Sequence, residues 1–159
     1  FKNPFKITEY SRHLFRAGMR SLIKFPLFLI ATVFILGNSN SRLYLDQIIT
    51  NFEWKSRLVL LIAKDDDTNL IRGVESFFEK SACQNENRNL VLYKIIGNEI
   101  NKYNVPKRYQ GKTGIWLIGY DGEDKAYSQD LSLLDQLHKI IDEMPMRQNE
   151  MVNQNSSCD

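Results

Sequence analysis

One segment of the chain restricts the possible folds more than any other. Residues 57–63 read Arg-Leu-Val-Leu-Leu-Ile-Ala, so the apolar residues after Arg57 follow one another without interruption. A strand with one solvated face alternates polar and apolar residues, whereas an unbroken apolar run is typical of a strand covered on both faces. The sequence therefore predicts a central strand with a packed layer on either side of its sheet.

The next two segments place this strand in a β-α-β unit. Residues 65–68 (Asp-Asp-Asp-Thr) are typical of a helix start, and apolar residues recur every three or four positions between residues 70 and 78. Residues 90–96 are rich in β-branched and aromatic side chains, which predicts a second strand. Because a helix connects the two strands, we expect them to be parallel with a right-handed crossover.

The rest of the chain predicts a loop, a hairpin and two further helices. Residues 97–114 are polar and carry proline and glycine, which predicts a long loop that can contain one short helical turn. Asp121-Gly122 is a strong turn signal between two short strand-like segments and predicts an antiparallel hairpin. Helical spacing of apolar residues predicts one helix at about 43–52, at the edge of the sheet, and another over 132–144 that ends at Pro145.

The order β-α-β, then β-β-α, is that of a minimal thioredoxin-like domain. We therefore predict an α/β fold, a thioredoxin-like three-layer α/β/α sandwich with a mixed sheet. One domain is expected over residues 42–151, followed by a disordered tail over 152–159. Trp54 and Trp116 are expected to pack in its core.

A targeting segment is predicted for residues 1–41. An apolar stretch runs from Phe25 to Leu36 after a basic segment, and small or polar residues follow it. This layout is typical of a signal peptide, and a membrane-spanning helix would need about 20 apolar residues. Translation is expected to start at Met19, with the signal peptide over 19–41. The predicted location is periplasmic or extracellular, and an uncleaved N-terminal anchor is the alternative and the one expected membrane contact.

The charge of the chain is unevenly distributed. The formal net charge is +2, but six basic residues and one acidic residue precede residue 41, so this segment carries +5 and the remainder −3. Nucleic-acid binding rests on a basic surface. A mildly acidic domain therefore gives no reason to expect a nucleic-acid partner, and no cofactor is predicted.

Three short motifs of the predicted domain resemble those of a known family. They are Trp54-Lys55, Leu-Ile-Gly-Tyr-Asp-Gly at 117–122, and Ile-Asp-Glu-Met-Pro-Met-Arg at 141–147 with Glu150-Met151. Over about residues 43–151 the sequence resembles the domain-of-unknown-function family 4174. The resemblance implies a thioredoxin-like fold and export from the cell, and related domains occur in extracellular sushi-repeat-containing proteins. It brings no catalytic residues.

The predicted acidic turn lies where a thioredoxin carries its reactive cysteines. Sites of open α/β sheets gather beyond the carboxyl ends of the parallel strands. At this position the chain has Asp65, Asp66 and Asp67 instead of a Cys-x-x-Cys motif. Three carboxylates offer oxygen ligands to a metal ion, but the helix dipole alone favours acidic residues at a helix N-terminus, by about 0.3–1 kcal/mol each. We predict no metal site, and a metal-assisted activity at this turn is kept as an alternative.

The two cysteines occupy other positions. Cys83 lies near the end of the first β-α-β helix and Cys158 in the tail, so neither matches the nucleophile of a thioredoxin or peroxiredoxin. In an exported protein they can form a disulfide, which contributes about 4 kcal/mol for so long a loop in the chain-entropy model. The alternative is a thiol-dependent oxidoreductase or peroxidase-like enzyme that uses Cys83.

The predicted loop interleaves basic and aromatic side chains. They are Lys102, Tyr103, Lys107, Arg108, Tyr109 and Lys112. Arginine forms forked hydrogen bonds and stacks, and tyrosine offers rigid contact area. With the adjacent turn from Asp65 to Thr68, these residues predict a surface that binds a protein or an anionic glycan. The alternative is a solvated loop whose tyrosines fold back on the sheet. The predicted function is a non-catalytic binding or interaction module, without catalytic residues.

Overall fold

The computed structural model describes residues 41–153 and residue 158. Residues 1–40, which hold Met19 and nearly all of the predicted targeting segment, lie outside the described residues, and that role stays a prediction. No helix among the described residues is long and apolar enough to span a bilayer.

The strands are Leu43–Tyr44 (β1), Arg57–Ala63 (β2), Leu90–Ile96 (β3), Tyr103–Asn104 (β4), Gly114–Ile118 (β5) and Asp124–Ser128 (β6). The helices are Leu45–Phe52 (α1), Thr68–Lys80 (α2), Ala82–Asn87 (α3), Ser132–Asp142 (α4) and Pro145–Asn153 (α5), with a 3₁₀ helix over Gly97–Lys102.

The central sheet contains four strands in the order β3-β2-β5-β6. β2 and β3 are parallel, whereas β5 is antiparallel to β2 and β6 is antiparallel to β5. This arrangement confirms the predicted α/β class with a mixed sheet. Every residue of β2 is buried, as expected of an inner strand with an unbroken apolar run.

Side chains that alternate along β2 belong to two separate parts of the core. Val59 and Leu61 pack with residues of α2 and α4 on one face of the sheet. Leu58 and Leu60 pack on the other face with α1 and the segment that follows β3. α1 therefore covers a face of the sheet and not its edge, which corrects the expectation, because its apolar stripe is buried there.

The structure contains three features that the sequence pattern does not predict. α3 follows α2, and β1 and β4 form a separate parallel pair. Pro145 follows α4 as expected, but it is also the first residue of α5. Proline suits this position because its φ angle is already helical and its missing N–H would have no partner there. α5 continues to Asn153, two residues past the predicted domain boundary at residue 151.

The two tryptophans differ in burial. Trp116 is buried in β5, as expected. Trp54 is 69% exposed, which corrects the expectation that it packs in the core. Its φ angle is 59°, and its backbone N–H donates a hydrogen bond to the carbonyl of Tyr120 at 2.9 Å. The connection between α1 and β2 thus holds this residue at the surface.

Candidate functional site

A cleft of about 970 Å³ lies beyond the carboxyl ends of β2 and β3, and we call it the carboxyl-edge cleft. It is lined by residues 64–66 after β2, by the 3₁₀ helix and β4, by residues 109–113 before β5, and by Arg42. These segments meet because the parallel strands β2 and β3 end at the same edge, where the antiparallel β5 begins. The cleft is therefore a product of the mixed sheet.

The charged side chains of this cleft lack partners of opposite sign within the part of the chain that the structure describes. Arg42, Lys64 and Lys112 are exposed cations, and Asp65 and Asp66 are exposed carboxylates. Among the described residues none of these side chains forms an ion pair or a hydrogen bond. A solvated charge needs no internal partner, so a ligand can bind these groups without breaking a bond inside the protein.

Gly97 allows the turn after β2 to approach the 3₁₀ helix closely. Its φ angle is 54°, in the region that glycine adopts most easily. A Cβ atom at this position would overlap the carboxylate of Asp65. The carboxylate of Asp65 thus lies over Gly97, and both residues line the cleft.

The structure brings half of the ten predicted binding residues to the cleft. They are Asp65, Asp66, Tyr103, Tyr109 and Lys112. The remaining five are Asp67, Thr68, Lys102, Lys107 and Arg108, and they lie outside it.

The basic residues outside the cleft have other surroundings, and their predicted role in a contact surface stays a prediction. Lys102 pairs with Glu99 at 3.5 Å, and Arg108 pairs with Asp46 of α1 at 3.0 Å. Lys107 is exposed. The expected loop folds partly as a 3₁₀ helix, whose three-residue period determines which side chains reach the cleft. The sequence pattern allows one helical turn in this loop, but it does not predict where that turn lies or which side chains reach the cleft.

Asp67 and Thr68 line an adjoining groove of about 630 Å³, together with Asp130 and Asp135, and this groove shares Asp66 with the cleft. The carboxylate of Asp67 accepts a hydrogen bond from the backbone N–H of Lys64 at 3.1 Å, which closes the turn before α2. Within the described residues, no group of three or more His, Cys, Asp or Glu side chains is arranged to hold a metal ion. The metal-assisted alternative therefore finds no ligand set in this part of the chain.

Tyr109 is a core residue, which corrects the expectation of a surface contact. It is 1% exposed, and its ring meets Trp116 edge-on with the centroids 5.3 Å apart. Its hydroxyl donates a hydrogen bond to the carboxylate of Asp124 at 2.5 Å. Burial and this hydrogen bond raise the pKa of the Tyr109 hydroxyl above its ordinary value. Tyr109 thus fastens the segment before β5 to the sheet.

Tyr103 is fastened in a similar way. Its hydroxyl lies 3.0 Å from the hydroxyl of Tyr93 on β3. Burial, followed by the hydrogen bond with Tyr103, raises the pKa of Tyr93 to about 12. Both tyrosines of the predicted surface therefore fold back on the sheet, and both also line the cleft.

Cys83 and Cys158 form a disulfide, with their Cα atoms 5.7 Å apart. Cys83 lies in α3, which leads into the amino end of β3, at the sheet edge opposite the cleft. Neither cysteine is free. The sulfur that the oxidoreductase alternative requires is thus bonded, and it lies away from the carboxyl-edge cleft.

The opposite edge of the sheet carries a group of charged side chains that the sequence does not predict. We call it the amino-edge network, and it consists of Arg57, Arg88, Asp142, Arg147 and Glu150. Arg57 is fully buried and donates to both carboxylate oxygens of Glu150, at 3.1 and 3.2 Å. Arg88 binds Asp142 at 2.6 and 2.9 Å. Arg147 lies 3.2 Å from Asp142 and 3.4 Å from Glu150, and so joins the two pairs.

The network stabilises the ionised form of its carboxylates. Burial opposes the ionisation of Asp142, but hydrogen bonds and ion pairs with Arg88 and Arg147 outweigh it, and the pKa of Asp142 lies below its ordinary value. Burial likewise opposes the ionisation of Glu150, and the bonds with Arg57 prevail and lower the pKa of that carboxyl group. Since α5 contributes Arg147 and Glu150, the network fastens α5 to the start of β2. The sequence signal that could have suggested it is a lone arginine at the head of a buried strand.

A comparison with family models finds a match over residues 48–150 to the model described as Domain of unknown function (DUF4174). No curated protein and no solved structure matches the chain.

Proposed function

The chain belongs to the DUF4174 family, a domain of unknown function, and we propose that it is a non-catalytic, thioredoxin-like binding module of an exported protein. The carboxyl-edge cleft is its contact surface, and its partner is a protein or an anionic glycan. One observation carries this proposal: charged side chains from separate segments surround one cleft, and among the described residues they have no ion-pair partners.

The strand order supports a thioredoxin-like fold. The β2-α2-β3 unit supplies the parallel pair, and the β5-β6 hairpin followed by α4 completes the sheet beside β2. This is the β-α-β, β-β-α order expected from the sequence, with α1, α3, β1, β4 and α5 added to it. In folds with an open α/β sheet, ligands bind beyond the carboxyl ends of the parallel strands.

The positions of the sulfur atoms support a module without thiol chemistry. A thioredoxin-type reaction requires a thiolate near the turn after the first parallel strand, where a helix N-terminus lowers the thiol pKa. That turn carries Asp65 and Asp66 here, and the two cysteines are joined at the opposite edge. Disulfides persist in oxidising compartments, so the bond also supports export to the periplasm or the extracellular space.

Nuclear magnetic resonance of the isotope-labelled chain tests the binding site. The probes are a pool of random short peptides and a uronic-acid tetrasaccharide, titrated separately. We expect shift changes at residues 64–66, 97–105 and 109–113 with one of the probes. The double variant Lys64→Ala/Lys112→Ala removes two cleft cations and should weaken the response. Shift changes confined to other surfaces would contradict the proposal.

A matched control is available on the surface away from the cleft. Lys80→Ala/Lys139→Ala also removes two exposed lysines, and neither forms an ion pair among the described residues. This variant should bind like the natural chain. An equal loss in both double variants would mean that net charge, and not the cleft, governs binding.

The enzyme alternatives are tested by activity. Disulfide reduction and peroxide consumption are measured with the natural chain and with Cys83→Ser. Turnover that the natural chain shows and the variant loses would overturn a non-catalytic module.

Export is tested on the protein recovered from the cell. Mass spectrometry of the mature N-terminus in the exported fraction should show cleavage near residue 41. An intact segment before residue 41, recovered in the membrane fraction, would favour the anchored alternative.

A further inference from the structure

A row of amide side chains runs along one wall of the carboxyl-edge cleft. Asn98 and Asn101 belong to the 3₁₀ helix, Asn104 belongs to β4, and all three line the cleft. Residues three apart in a 3₁₀ helix lie one above the other, so Asn98 and Asn101 share a face. Among the described residues, the side chains of these asparagines form no hydrogen bonds. The row is therefore free to bond a ligand.

The spacing of this row matches the repeat of an extended peptide. With a rise of about 2.0 Å per residue, Asn98 and Asn101 lie about 6 Å apart along the helix axis. An extended chain presents equivalent backbone groups every second residue, at about 6.6–6.8 Å. Each asparagine offers both a donor and an acceptor, the pair that complements one residue's C=O and N–H. Two successive asparagines can thus bond alternate residues of one extended chain.

The same wall already pairs with extended main chain. β1 lies parallel to β4, with Leu43 opposite Tyr103 and Tyr44 opposite Asn104. Arg42, next to this pair, lines the cleft. A short segment of this protein thus already lies against this wall in an extended conformation.

The charges of the cleft favour a peptide over a polyanion. Arg42, Lys64 and Lys112 can bind acidic side chains, but Asp65 and Asp66 lie in the same cleft and would repel an anionic glycan. A peptide can carry charges of both signs along its length. Its side chains can therefore meet both groups while its backbone meets the asparagines.

We propose, on the premise that the cleft is a binding site, that its ligand is an extended peptide segment of another protein. Asn98 and Asn101 hold the backbone of this peptide. Cations and carboxylates of the cleft would then select its charged side chains. The volume of about 970 Å³ is at the upper end of ordinary ligand sites, which suits a segment of several residues.

Selection from a display library of random short peptides on the intact chain provides the test. A selected peptide is synthesised with blocked ends, and its Kd is measured by isothermal titration calorimetry. For Asn98→Ala/Asn101→Ala we expect binding to be roughly tenfold weaker, since two hydrogen-bonding amides are lost. The control Asn51→Ala/Asn149→Ala removes two exposed asparagines outside the cleft and should stay within about twofold of the natural chain.

A second measurement does not depend on the folding of a variant. The selected peptide is made again with alternate backbone nitrogens methylated, which removes their donors and leaves the side chains unchanged. We expect a loss of roughly tenfold against the natural chain. Full affinity of the methylated peptides, in both registers, would overturn the inference.

The failure of this inference can be told from the failure of the proposed function. If the uronic-acid tetrasaccharide shifts cleft residues while no selected peptide does, the ligand is not a peptide and the binding function stands. If neither the tetrasaccharide nor any peptide shifts cleft residues, both proposals fail.

Discussion

At the amino edge of the sheet the charged side chains bind one another, whereas at the carboxyl edge they are exposed and lack ion-pair partners among the described residues. Arg57 and Arg147 are almost completely buried, while Lys64 and Lys112 are in contact with solvent. A buried charge is tolerated only when opposite charges and hydrogen bonds compensate for the lost water. Charge at the amino edge therefore holds the structure together, whereas charge at the carboxyl edge stays exposed to solvent.

The largest expected effect is at the amino edge, for Arg57→Met. Removing this arginine leaves the partly buried Glu150 without its main partner, so the free energy of unfolding should fall by about 3–5 kcal/mol. Urea unfolding followed by circular dichroism measures the change. The double variant Arg57→Met/Glu150→Met should lose less than the sum of the single losses, because the two residues interact directly. A loss below about 1 kcal/mol for Arg57→Met would show that the ion pair with Glu150 is not a major source of stability.

The disulfide adds a covalent constraint to the same edge and gives the next effect. Cys83→Ser should lower the free energy of unfolding by about 2–4 kcal/mol, because the unfolded chain is no longer closed into a long loop. Cys158→Ser should cost the same amount, and the double variant no more than either. Unequal losses would show that one sulfur has a further role. Unfolding curves in oxidising and reducing buffer provide the measurement.

A smaller contribution to the free energy of unfolding, that of Asp142, should depend on pH. The folded pKa of Asp142 is lower than the unfolded one, so its contribution is present above the unfolded value of about 3.9 and is lost as pH falls through the folded value. At neutral pH, Asp142→Asn should therefore be less stable than the natural chain, on the order of 1 kcal/mol for a partly exposed group. The difference should narrow at pH values below about 4. A difference that does not change with pH would mean that the charge of Asp142 is not what stabilises the fold.

The smallest effect on stability is expected at the carboxyl-edge cleft. Lys64→Ala/Lys112→Ala should change the free energy of unfolding by no more than about 0.5 kcal/mol, because neither lysine has an internal partner among the described residues. The same urea experiment measures it. A loss comparable to that of Arg57→Met would show that the two edges do not differ in the proposed way.

The elements with strong local patterns were predictable. The apolar run of β2, the helical spacing of α2 and the Asp121-Gly122 turn depend on neighbours in sequence, and the structure places a strand, a helix and a hairpin there. The spacing of apolar residues that buries one face of a helix or strand is visible within a short segment, so such elements can be predicted from the sequence. The acidic turn at Asp65 and Asp66 was placed at the cleft for the same reason, since it directly follows β2.

Other parts of the site depend on contacts between distant residues. Arg57 and Glu150 are 93 positions apart, and no local pattern identifies them as partners. Tyr109 was expected at the surface, but its loop covers the sheet and its ring reaches Trp116. The 3₁₀ helix selects Asn98 and Asn101 for the cleft in preference to Lys102. These choices follow from how the chain folds back on itself.

The α/β class, the central strand and the turn at which the cleft opens could be predicted, because each of these follows from the spacing of apolar and polar residues along a short segment. Which charges are paired and which line the open cleft depends on how distant segments meet in the folded chain. The physical reason is that the stability of a charged side chain depends on burial and on the groups around it, and these are set by segments far apart in sequence.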